Sequence, residues 1–256
     1  MENNEKELYD ALNPPRKKKK RRKKYYLLKT LGAVLLLIGA YYFLNSSFFD
    51  IQNIVVENNV YYTAGQIIDK SAAEIGDNIF HTSMRDVKKR LLADPYIMGV
   101  KIRRELPGTL VVHVTERQEE AFVASGGAYI IIDEDGLVLR KTDTEPVLTE
   151  LSNLKVTRAE EGHPLEAEEN AALTDTLFLM KKTKKYELYF KKIDISTIII
   201  RAYVYDHLLC EGTPEHFSDN LDDLKKVLLD LRERNVERGT IKIGGEGYIA
   251  WQPVAE

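Results

Sequence analysis

The sequence predicts an α+β protein hung from one membrane helix: a single N-terminal transmembrane helix, then a β-α-α-β-β unit, then a second β-rich unit with helices. Two observations predict the anchor. Residues 1–50 carry a net charge of +6 and residues 51–256 a net charge of −9, within an overall −3. Nine basic residues, Arg16, Lys17, Lys18, Lys19, Lys20, Arg21, Arg22, Lys23 and Lys24, run without a break directly into an apolar stretch. A third observation predicts the rest: beyond residue 46, apolar residues recur with alternating period 2 and helical period, punctuated by turn residues. The expected division is a tail at 1–24, a span at 25–45, a first unit at 46–117 and a second at 118–256.

The stretch 25–45 is interrupted only by Lys29 and Thr30, and as a helix it would reach roughly 31 Å, enough for a hydrocarbon core. Leu31, Val34, Leu35, Leu36, Leu37, Ile38 and Leu44 form its centre, with Tyr25, Tyr26, Tyr41 and Tyr42 where an aromatic belt belongs. The basic block on the N-terminal flank orients it, so the tail is expected inside and residues 46–256 outside. A cleavable signal peptide competes with this reading, because residues 31–44 are the only uninterrupted run. No Ala-x-Ala site follows, and the basic region is long, which favours an uncleaved anchor. A basic block beside a span is a topogenic and lipid-contacting cluster rather than a nucleic-acid arm. The lone Cys210 cannot form an internal disulfide, so the exterior part must hold by packing.

In the first unit, residues 49–57 read as a strand ended by Asn58-Asn59. Thr63 and Gln66 have capping-box spacing, opening a helix on Ala64, Ile67, Ile68, Ser71, Ala72 and Ile75, with Gly76 as its stop. Ser83 and Asp86 cap a second helix on Met84, Val87, Leu91 and Leu92, which Pro95 ends. Residues 99–104 and 109–116 alternate as paired strands, the second with Leu110, Val112 and Val114 on one side and His113 on the other. Two helices then cover one face of a three-stranded sheet, leaving at least one edge free.

In the second unit, residues 128–139 form a hairpin turning at Asp135-Gly136. Residues 159–170 read as a solvated acidic loop leading into a helix on Leu173, Leu177 and Met180. Strands are expected at 187–195, 198–201 and 203–210, then a helix started by Ser218 and built on Leu221, Leu224, Leu228 and Leu231. A last hairpin pairs residues 239–243 with 248–251 around Gly244-Gly245-Glu246-Gly247.

Reactive chemistry finds little support. Gly-x-Ser-x-Gly, His-Glu-x-x-His and phosphate-loop patterns are absent from the sequence, and no helix follows the glycine turn at 244–247. His207, Cys210 and His216 are too few and too dispersed for a zinc set. Glu116, Glu119 and Glu120 could be cast as an acid/base pair, but they adjoin the unit boundary with no apolar pocket in view and read as solvated charge. The expectation is no catalytic residue, no metal and no cofactor.

Several segments resemble one family in its order. Phe48-Phe49-Asp50-Ile51-Gln52-Asn53-Ile54-Val55-Val56-Glu57 looks like the opening of a POTRA domain that follows a membrane anchor. Asp77-Asn78-Ile79-Phe80, Leu91-Leu92-Ala93-Asp94-Pro95-Tyr96, Val100-Lys101-Ile102-Arg103-Arg104-Glu105-Leu106-Pro107-Gly108 and Val114-Thr115-Glu116-Arg117 continue the pattern. The chain is similar to the FtsQ/DivIB bacterial cell-division family through this unit. The order of basic tail, span, POTRA unit and β-rich unit extends the likeness. It departs at Glu150, where the family usually has Gly, and at Lys242, where an acid is common.

The resemblance implies a non-enzymatic divisome scaffold in the bacterial cell membrane, at the division septum. It would bind small coiled-coil single-span division proteins of the FtsL and FtsB/DivIC type, contact membrane lipid, and act indirectly on septal peptidoglycan synthesis, with no nucleic acid partner. An anchored cell-wall enzyme and a POTRA-type chaperone for exported proteins are the alternatives. The expected contact is the edge of the last strand, Tyr248, Ile249, Ala250, Trp251 and Gln252, since few residues follow it and Trp251 is the only tryptophan. A proline at Ala250 is the substitution that this reading offers as a test of strand addition.

Overall fold

The computed structural model describes residues 11–12, 23–195, 198–245 and 247–253. Helix α1 (Lys23–Leu44) is the span; Tyr25–Leu44 is long and apolar enough to cross a membrane, and none of it is buried in the protein. Its centre residues Leu31, Val34, Leu35, Leu36, Leu37 and Ile38 are all exposed, as a helix solvated by lipid requires. Of the basic block, residues 16–22 and the side chains of Lys23 and Lys24 lie outside the described residues.

A short 3₁₀ turn (Ser47–Phe49) delivers the chain into a three-stranded sheet of order β1-β3-β2: β1 (Asn53–Glu57), β2 (Ile97–Glu105) and β3 (Thr109–Glu116). β1 runs parallel to β3, and β2 antiparallel to it. Helices α2 (Ala64–Ser71) and α3 (Met84–Leu91) cover one face, enclosing Ile51, Ile67, Ile79, Val87, Leu91, Val100, Leu110, Val112 and Val114. The expected capping box forms: Thr63 Oγ1 accepts from the Gln66 amide at 3.3 Å, and the Thr63 amide donates to Gln66 Oε1 at 2.9 Å. The helix stops earlier than expected. Ala72 takes a left-handed conformation at φ 49°, so Ile75 falls outside the helix and is exposed. Leu92 likewise ends outside the apolar stripe. The first strand is also shorter than expected: Phe49 ends the 3₁₀ turn, and residues 49–51 bond to residues 76–79 instead of joining the sheet.

The second unit is a nine-stranded mixed sheet. Its strands are β4 (Ala121–Ser125), β5 (Ala128–Ile132), β6 (Val138–Thr142), β7 (Thr149–Ser152), β10 (Lys192–Asp194), β11 (Ile200–Tyr205), β12 (His207–Gly212), β13 (Arg238–Ile243) and β14 (Ile249–Gln252). The order across the sheet is β14-β13-β12-β11-β10-β7-β4-β5-β6, with a separate ribbon of β8 (Val156–Arg158) and β9 (Glu166–Ala167). Helices α4 (Asn170–Lys185), α5 (Pro214–Asp219) and α6 (Leu221–Glu233) pack on one face. Leu173, Leu179, Phe217, Leu221, Leu224 and Leu231 meet Ile193, Ala202, Leu208, Cys210 and Ile241 there.

Two expectations give way, and the departure at Glu150 finds its place. Glu150 needs no glycine: it lies inside β7, and its carboxylate pairs with Lys192 at 3.1 Å on the neighbouring strand. The strands expected at 198–201 and 203–210 break instead at Asp206, after a bulge between Tyr203 and Tyr205. The helix expected to start at Ser218 is two helices. Thr213 caps α5 by accepting from the His216 amide at 3.2 Å, and buried Asn220 ends it, donating to the His216 carbonyl at 2.8 Å and the Gly244 carbonyl at 3.2 Å.

Candidate partner interface at the last strand

The last strand is built on its neighbour through two glycines. Gly244 ends β13, and its amide donates to the Tyr248 carbonyl at 2.8 Å, closing the hairpin. Gly239, at φ 134°, lets Trp251 lie flat on the strand; a Cβ there would sit 2.5 Å from Trp251 Nε1. Among the described residues β14 pairs only with β13, with Ile249 opposite Ile243, Ala250 opposite Lys242, Trp251 opposite Ile241 and Gln252 opposite Thr240. Its other side is the edge of the sheet.

Antiparallel ladders alternate between residue pairs that exchange bonds and pairs that do not. The Gly244–Tyr248 bond sets that phase. It gives the ladder bonds to Ala250 and Gln252, and leaves the main-chain groups of Ile249 and Trp251 facing outward. The side chains sort oppositely. Ile249 and Trp251 pack against the core with buried Ile241 and Ile243, while Tyr248 is 58% exposed. Trp251 is held further by the Arg234 guanidinium, 5.9 Å from its ring centre. Two consequences correct the reading from sequence. Proline at Ala250 would cut the hairpin itself rather than the open edge, and Trp251 is part of the core that supports the strand.

The junction carboxylates are engaged structurally. Glu116 accepts the amides of Val60 and Tyr61, both at 2.6 Å, and of Tyr62 at 3.2 Å. Glu119 accepts from Tyr96 Oη at 2.6 Å and Arg140 Nε at 2.7 Å; Glu120 pairs with Lys184 at 2.6 Å. Burial works to raise Glu119, but the bonds from Arg140 and Tyr96 outweigh it and hold the carboxyl below its ordinary value. Sequence reasoning missed this junction, whose only local signal is the tyrosine set Tyr61, Tyr62 and Tyr96; Tyr61 stacks on Tyr96 at 4.0 Å. Cys210 is fully buried and burial pushes its thiol up, while His207 stands exposed at the start of the same strand. Among the described residues, no group of three or more His, Cys, Asp or Glu side chains could hold a metal ion.

A single apolar span that runs directly into a two-helix, three-stranded unit, followed by a long mixed sheet, defines a membrane-anchored POTRA protein. The POTRA domain model of FtsQ type matches residues 49–117. The cell division protein DivIB of Clostridium acetobutylicum is 29% identical over 188 residues, covering 72% of this chain and 76% of that protein. DivIB of Clostridium tetani is 26% identical over 218 residues, 78% of each, and the cell division protein FtsQ of Geotalea daltonii is 28% identical over 158 residues, 60% and 54%. The solved extracytoplasmic domain of the trans isomer of DivIB from Geobacillus stearothermophilus aligns at 18% identity and a TM-score of 0.30, over 48% of this chain and 98% of that one. The sequence matches bear out the resemblance seen in the sequence: the chain is similar to the FtsQ/DivIB cell-division proteins.

Proposed function

We propose that this protein is a non-enzymatic scaffold of the divisome, with its tail in the cytoplasm and residues 46–256 outside, at the septum. In this reading it holds small coiled-coil single-span division proteins of the FtsL and FtsB/DivIC type, and so supports septal peptidoglycan synthesis indirectly. Residues 46–117 and 118–256 act as separate exterior units. The observation that carries the proposal is the open edge of β14, where the outward main-chain groups of Ile249 and Trp251 are presented on a strand fixed from behind. A partner segment adds as a further strand: backbone bonds supply affinity, and exposed Tyr248 with its neighbours supplies selectivity. Lys242, exposed beside Ala250, favours an acidic residue on that segment. Sharing one membrane raises the effective concentration, so each contact can be weak.

The test measures binding of the partner's exterior segment to the full chain in nanodiscs. Ile249→Pro removes an outward amide at an edge position, where proline is tolerated. It and Tyr248→Ala should each weaken binding about tenfold or more; circular dichroism should stay near that of the parent in both, with a lowered thermal transition only in Ile249→Pro, which also gives up the packing of Ile249 on the core. Unchanged affinity in a folded Ile249→Pro protein would move the interface to the POTRA unit.

A further inference from the structure

The end of the POTRA unit nearest the span has a composition that its fold does not need. Three chain segments are tied together there by backbone bonds. The Ile51 amide donates to the Asp77 carbonyl at 2.8 Å, Ile79 to Phe49 at 2.9 Å, and Gln52 to Gly108 at 2.8 Å. The same end receives α1 with only Asn45 and Ser46 between helix and 3₁₀ turn. Asn78 Nδ2 donates to the Leu44 carbonyl at 2.9 Å, satisfying one of the acceptors that a helix end leaves bare. Phe43 of the span meets Phe49 edge-on at 5.1 Å, and Phe49 meets Phe80 at 5.1 Å. The span and this pole are therefore one packed body rather than a tether and a bead.

The exposed side chains of the pole include an apolar and basic set beside exposed Asp77, Asp86 and Glu105. Phe48 is 57% exposed, Phe80 39% and Leu106 59%, although each lies within a few residues of the buried core. Arg104 is pinned among them, donating to the carbonyls of Ile79 at 2.7 Å and Thr82 at 3.0 Å. Arg85 follows in the first turn of α3, exposed. The acids nearby are Asp50, Asp77, Asp86 and Glu105, the last bonded by Arg103 at 3.1 Å.

We propose that this pole is a lipid-binding surface, with Phe48, Phe80 and Leu106 entering the boundary between headgroups and acyl chains and with Arg104 and Arg85 on lipid phosphates. The proposal rests on the reading of α1 as a membrane span. Aromatic and leucine side chains beside arginines make an interfacial face, and continuity with the span places this face at the bilayer surface. The consequence is orientation. β1 leaves the pole at Asn53 and β3 leaves it at Thr109, so a pole held in lipid points both strands, and the second unit beyond them, away from the membrane.

The test uses the full chain in nanodiscs of phosphatidylcholine and phosphatidylglycerol, with one nitroxide at a time on Phe80→Cys, Leu106→Cys, Val60→Cys or Ile38→Cys. Cys210 is fully buried and stays unlabelled. Relaxation by oxygen, which partitions into lipid, is compared with relaxation by a water-soluble nickel chelate. Labels at Phe80 and Leu106 should be several-fold more shielded from nickel than the label at Val60, which is 83% exposed at the opposite end of β1. Labels at both pole positions matching Val60 while Ile38 reads as lipid-immersed would overturn the inference and leave the anchor standing. An aqueous Ile38 label would instead remove the anchor reading, and this inference with it. Leu106 makes the test independent of the aromatic stack that Phe80→Cys disturbs.

Discussion

Glu119 shows how a carboxylate that looks idle in sequence becomes structural. Its partners stand 21 and 23 residues away, Arg140 and Tyr96, so no local pattern could have paired them. The same holds for Glu116, which closes the turn at 60–62, and for Glu120 on Lys184. Because the folded Glu119 lies below its ordinary value of 4.5, its contribution is present above that value and is lost as pH falls below it. Tyr96 is shifted the other way, raised by burial and then by its bond to Glu119, so its contribution is lost as pH rises above 10. Arg140→Leu should leave Glu119 with burial and the tyrosine bond alone. The acid limb of the unfolding curve should then move to higher pH, with a loss of about 1 kcal/mol at neutral pH, since Arg140 is over a third exposed. An acid limb unchanged by the substitution would mean that the junction is held by the tyrosine stack instead.

At the scale of elements, legibility follows punctuation. The final hairpin could be read because strand alternation ends in a glycine turn, and α2 because Thr63 and Gln66 mark its start. The three strands β10 to β12 could be read but their boundaries could not: no glycine or proline falls between Ile193 and Leu209, and the turn at Asp206 has no such punctuation. β4 was hidden by the charged residues before it. The outward phase of β14 was also invisible, because it is set by one bond across the Gly244 turn rather than by side-chain pattern. Gly239 carries a prediction at this scale. Its φ of 134° and the 2.7 Å that a Cβ would leave to the Gln252 carbonyl oxygen exclude a side chain without displacing β14. Gly239→Ala should cost about 2 kcal/mol or more. Hydrogen exchange should show the loss concentrated in β13 and β14 while the POTRA unit keeps its protection. Uniform loss across both units would mean that they unfold together.

In the proposed reading the whole molecule is a path leading away from a membrane. Nine basic residues precede the span, α1 passes into the POTRA pole after two residues, β1 and β3 run parallel from that pole, and β3 feeds the nine-stranded sheet at its far end. The Lys/Arg bias reinforces the direction, with nine basic residues directly before the span. A basic flank is retained on the cytoplasmic side, whereas the acidic remainder meets no such barrier to export. Protease added to intact spheroplasts should therefore remove an epitope fused after Glu256 and leave a short fragment that retains the tail and span. Lysis before digestion should expose the tail as well. Because the fold is compact, digestion needs a protease concentration that also cleaves a known exterior domain, run in parallel as the control. A C-terminal epitope protected until lysis would invert the orientation. It would place the edge of β14 in the cytoplasm, where it could not meet the exterior segment of a single-span partner.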